Sequence, residues 1–66
     1  MNREQTAWAL FDAHRSGAAP LSVKAGSFVG QIAVDPRQPL TDKQTSWLGK
    51  LTERAALPPI EGGAHD

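Results

Sequence analysis

Two runs of turn-forming residues, Ser16-Gly17-Ala18-Ala19-Pro20 and Asp35-Pro36-Arg37-Gln38-Pro39, cut this 66-residue chain into three short segments. Proline lacks an amide hydrogen and turns the residue before it away from helical angles. Gly17 suits a left-handed helix cap, and Pro20 cannot continue the ladder behind it. Helices of about 12–15 residues are marginal alone in water, so each segment must bury a face against the others. A chain of this length makes one domain at most and buries only about 60% of the surface its unfolded form exposes. It contains no cysteine, so neither a disulfide nor a thiolate zinc site can staple it. Compact helix packing or self-association remains.

The first segment, about Arg3 to Arg15, reads as a helix. Asn2 can cap it, with Gln5 placed to complete a capping box. Ala7, Trp8, Leu10, Phe11 and His14 share one broad face, while Glu4, Gln5 and Asp12 fall mostly away from it. The second segment, Ser22 to Val34, fits two states. As a helix capped by Ser22 it stacks Ala25, Phe28, Val29, Ile32 and Ala33 in one stripe. As a strand it alternates Phe28, Gly30, Ile32 and Val34 on one side. Gly26 and Gly30 each disfavour the helix by roughly 1 kcal/mol relative to alanine. Helix is nevertheless the expectation, because the chain offers no second strand-like run to pair with; a strand pairing across a dimer is the alternative.

The third segment opens sharply. Thr41 as N-cap and Gln44 three residues on make a second capping box, and Asp42 sets negative charge where the helix dipole favours it. Gln44, Trp47, Leu48, Leu51 and Ala55 then form an inward stripe, joined by Leu40. The helix should fray near Ala56, ahead of Pro58-Pro59. The expected architecture is all-α: three helices within a domain of residues 1–57, the second half helix–turn–helix-like, with a disordered tail over 58–66. Trp8, Phe11, Leu21, Phe28, Val29, Ile32, Leu40, Trp47, Leu48 and Leu51 are the expected shared core. That core is thin, which makes a homodimer one expectation.

Seven basic and seven acidic residues cancel, so no global field steers the chain onto nucleic acid or anionic membrane. No apolar run nears the ~20 residues of a membrane span, and Met1-Asn2-Arg3-Glu4-Gln5 lacks the apolar core of a signal peptide. A soluble, cytoplasmic protein without membrane contact is expected.

Two surfaces stand out as candidate binding sites. Lys43, Lys50 and Arg54 project at roughly 240–280° around the third helix when Gln44 marks the centre of its buried stripe. Trp47 lies between that row and the core. Cations beside an indole could hold a phosphate backbone against the ring. The favoured alternative is that the long basic stems cover the rim of the apolar stripe and keep their charges in water. The second surface combines Trp8 and Phe11 with Gly26 and Gly30, whose spacing puts two small residues on one side of the second helix beside Ala33. Such a face admits another backbone, although tight packing within the monomer explains the glycines more simply.

Catalytic and metal chemistry find little footing. His14 and Asp12, two apart on a helix, do not face each other. A metal site would need further ligands, and the other histidine, His65, falls in the expected tail. The remaining carboxylates are scattered, and no phosphate-cradling glycine loop exists. Pro36-Arg37-Gln38-Pro39 matches a P-x-x-P spacing but serves better as helix punctuation. The expectation is a protein without enzymatic activity, cofactor or metal.

Residues 27–51 carry a resemblance. Ser27-Phe28, Gln31, Leu40-Thr41-Asp42-Lys43-Gln44 and Trp47-Leu48-Gly49-Lys50-Leu51 follow the pattern S-F…Q…L-[ST]-x-K-Q-x-x-W-[LV]-x-K-L. This resembles a helix–turn–helix-like segment of small proteins of phage and other mobile-element origin. The resemblance implies a compact two-helix unit and, loosely, a phage or DNA-processing setting; it transfers no catalytic residue. Two functions are therefore expected in order: an accessory module that docks a protein partner through Trp8, Phe11, Gly26 and Gly30, then an accessory nucleic-acid binder using Lys43, Trp47, Lys50 and Arg54.

Overall fold

The computed structural model describes residues 1–58, so the expected tail lies outside the described residues from position 59 onward. Three helices follow one another: α1 (Arg3–Ser16), α2 (Val23–Val34) and α3 (Asp42–Arg54), with no strand among the described residues. The all-α expectation holds, and the second segment is a helix.

The helix starts follow from their caps. Asn2 Oδ1 accepts the Gln5 N–H at 2.8 Å, and Gln5 Oε1 accepts the Asn2 N–H at 3.1 Å. Thr41 and Gln44 repeat this reciprocal pair at 3.1 and 2.9 Å, and Ser22 Oγ accepts the Ala25 N–H. Each box satisfies two donors that a helix start would otherwise leave unpaired. Gly17 ends α1 at φ 85°, its N–H donating to the His14 carbonyl. The same geometry ends α3 without a glycine. Ala56 sits at φ 56°, and Leu57 N–H reaches back to the Thr52 carbonyl.

α1 packs chiefly on α2 and more lightly on α3. Ala7, Leu10, Ala25, Phe28, Val29, Ile32, Ala33, Leu48 and Leu51 form the buried cluster, with Phe11, Leu21, Leu40, Trp47, Ala55 and Leu57 packed against it. The expected α2 stripe is buried in full. In α1 the expectation needs correction: Trp8 is 55% exposed and stands outside the core, while Thr6 is fully buried. The stripe of α1 runs through Thr6, Ala7 and Leu10, and Trp8 lies about 100° beyond Ala7. His14 is exposed as well. In α3 the stripe centres on Leu48, Leu51 and Thr52, leaving Gln44 and Trp47 half-buried at its side.

The link over residues 35–41 is longer than the roughly 3–4-residue turn of DNA-binding helix–turn–helix units. It is tied to the start of α1. Arg3 Nη1 donates to the Gln38 carbonyl at 3.0 Å and to the Pro36 carbonyl at 3.5 Å. Gln38 N–H in turn donates to the Asp35 carbonyl. The P-x-x-P residues are thus folded into a turn in which the Pro36 and Gln38 carbonyls are engaged.

Candidate functional site

Burying Ala25, Phe28, Val29, Ile32 and Ala33 fixes what α2 shows to solvent. Counting 100° per residue, Val23, Ser27, Gly30 and Val34 fall within about 60° of one another on the opposite side. Val23 is 93% and Val34 86% exposed. An open groove of about 580 Å³ runs along this side, lined by Ser27, Gly30, Gln31, Val34, Asp35 and Gln38.

Phe11 and Trp8 border the same side from α1. A Cβ placed on Gly30 would stand 3.8 Å from Phe11 Cζ. The Phe11 and Trp8 rings meet at 5.9 Å between centroids with planes 58° apart, a tilted aromatic pair. The four residues expected at a docking surface are therefore partly gathered: Trp8, Phe11 and Gly30 are connected through these contacts, and Gly26 lies one turn from Gly30. Tight packing inside the monomer does not account for the glycines. A Cβ at Gly26 would meet nothing within 4 Å, and the one at Gly30 would make ordinary contact. Val23 and Val34 were absent from the expected surface, although both fall outside the buried stripe and periodicity could have found them.

On α3 the basic residues Lys43, Lys50 and Arg54 are exposed. They make no ion pair or side-chain hydrogen bond among the described residues. With Leu48 as the centre of the buried side they stand at roughly 200–240°, on the solvent face. Trp47 is turned the other way: its ring stacks on Phe28 with centroids 4.6 Å apart and planes 2° from parallel. One face of the indole is thus occupied by the core, and the row and the ring do not form a joint platform.

The remaining polar groups serve the fold. His14 Nδ1 accepts the Leu21 N–H at 2.9 Å and so holds the link between α1 and α2. Asp12 accepts from Arg15 Nη2 at 2.9 Å on the exposed side of α1. Among the described residues no three His, Cys, Asp or Glu side chains gather as a metal site would require, and no helix is long and apolar enough to cross a membrane. Compared with protein-family models, curated proteins and solved structures, the chain matches none.

Proposed function

We propose that this protein is a small non-enzymatic interaction module that binds a protein partner through the outer side of α2 and the adjoining Trp8–Phe11 pair. The observation that carries the reading is the pairing of two nearly fully exposed valines, Val23 and Val34, with an aromatic pair that the monomer leaves half outside its core. A chain with so few large apolar residues gains by burying them, and exposed apolar side chains gathered on one side of a helix favour association there. An origin in a phage or other mobile element rests on the resemblance of residues 27–51 alone.

Site-specific photo-cross-linking tests the reading. A benzophenone side chain at Val34 should yield adducts with a protein, whether foreign or a second copy, and the same probe at Lys50 should not. Adducts from position 50 alone would contradict it. The second reading, nucleic-acid binding, draws on Lys43, Lys50 and Arg54 being exposed and, among the described residues, unpaired. It is weakened by the neutral charge of the chain and by the engagement of Trp47 with Phe28. Anisotropy of labelled DNA titrated at low and physiological salt separates the two, since phosphate contacts weaken steeply with salt.

A further inference from the structure

The charges on α2 are arranged against its own dipole. α1 and α3 each carry an acidic residue in the first turn and a basic one in the last: Glu4 with His14 and Arg15, Asp42 with Arg54. α2 carries neither. Its first turn holds Lys24, and Asp35 caps its C-terminus. A cation near a helix N-terminus and an anion at its C-terminus are both unfavourable for the isolated helix. Neither side chain has an ion pair or hydrogen bond among the described residues, and both are exposed.

The two charges also share a flank. With Gly30 at 0°, Val23, Ser27 and Val34 lie at about 20°, 60° and 40°, whereas Lys24 and Asp35 lie at about 120° and 140°. The Asp35 N–H still bonds the Gln31 carbonyl, which keeps its Cα on the helical course, while its own φ −135° and ψ 78° lead the chain out of the helix. Eleven residues separate the pair, about 16 Å along the axis.

Resting on the interaction reading above, we propose that the partner is a second copy of this chain, seated antiparallel on the outer side of α2 about a two-fold axis near residue 29. Such an axis keeps a flank on its own side of the interface and reverses direction along the helix. Lys24 then stands beside the partner's Asp35, and Asp35 beside the partner's Lys24. The same register sets Ser27 level with the partner's Gln31 and leaves the Val23–Val34 and Lys24–Asp35 pairs each about one residue, or ~1.5 Å, from level. Each C-terminus, with its negative dipole end, comes beside the other copy's Lys24. A face that is self-complementary in this way is what a two-fold homodimer requires. Gly26, Ser27 and Gly30 at the centre let the backbones approach, and the Trp8–Phe11 pair closes the flank opposite the charges. Openness at a glycine selects nothing alone, since Gly49 of α3 shares it. What sets α2 apart is that its glycines stand between exposed valines and an inverted pair of charges.

Sedimentation equilibrium of the full chain tests this. The mass should rise from 7.1 kDa toward twice that value with concentration. Lys24→Glu and Asp35→Lys should each weaken the dimer about tenfold or more, because each places like charges together at both ends of the interface. The double variant should restore it. Both single variants repair the dipole of α2, so their monomers should melt no lower than wild type, which separates lost association from lost folding. A monomer at all concentrations to about 1 mM overturns the proposal, as does a dimer indifferent to both charge reversals. If the mass stays monomeric while a probe at Val34 captures a foreign protein, the self-association is wrong and the interaction reading stands.

Discussion

Phe28 and Trp47 stack face to face, their rings nearly parallel and 4.6 Å apart between centroids. This contact joins α2 to α3 and decides between two roles for the tryptophan. An indole laid against a buried phenylalanine packs on the edge of the core with that face, and the basic residues on α3 stand exposed away from it.

The two tryptophans should accordingly differ. Trp47→Ala should lower stability by about 2 kcal/mol, since a half-buried ring is withdrawn from its stack on Phe28. Trp8→Ala should change monomer stability by less than about 1 kcal/mol, because the ring is more than half exposed. Urea unfolding at low protein concentration measures both. Equal losses would contradict the placement of Trp8.

Thr6 is fully buried, and its Oγ1 has no hydrogen-bond partner among the described residues. Thr6→Val keeps the shape and removes an unsatisfied hydroxyl, so stability should rise by about 1 kcal/mol. Thr52 is the contrast. Its Oγ1 donates to the Leu48 carbonyl at 2.7 Å, and Thr52→Val should lower stability by roughly 0.5–1 kcal/mol. Thermal melts of the two variants should move in opposite directions.

The ends of α1 and α3 provide a second opposed pair. Gly17 and Ala56 both lie at positive φ, where a Cβ is strained. Gly17→Ala should cost about 1 kcal/mol, and Ala56→Gly should add up to about 1 kcal/mol, reduced by the greater freedom glycine gives the unfolded chain. Denaturant midpoints of the two single variants check the signs.

Arg3 ties the start of α1 to the turn between α2 and α3. Arg3→Ala should cost about 1–2 kcal/mol, most of it from the 3.0 Å bond to the Gln38 carbonyl. Amide hydrogen exchange should also quicken at residues 35–38 more than in α2. Unchanged exchange there would remove the clamp.

The parts of the fold governed by local chemistry were legible in the sequence. Asn2–Gln5, Ser22 and Thr41–Gln44 announce the helix starts through side chains that reach their own backbone, and the apolar spacing of α2 names its buried stripe residue for residue. What escaped depends on packing between helices. α1 buries its smaller residues Thr6 and Ala7 together with Leu10, and Trp8 stays outward although periodicity groups it with Leu10 and Phe11. The left-handed Ala56 gave no signal, because that position usually announces itself with glycine. Of the residues grouped as a candidate surface, Trp8, Phe11 and Gly30 lie together in the structure. The inverted charges Lys24 and Asp35 acquire meaning only once α2 is known to be a helix with one side uncovered.

The most direct test is a dilution series of ¹H–¹⁵N correlation spectra between about 20 µM and 1 mM. The expected result is a set of concentration-dependent shifts at Val23, Ser27, Gly30, Gln31 and Val34 and at the Trp8 indole, with the amides of Lys43, Lys50 and Arg54 unmoved. Spectra that superimpose throughout, or shifts confined to α3, would contradict a second copy seated on the outer side of α2.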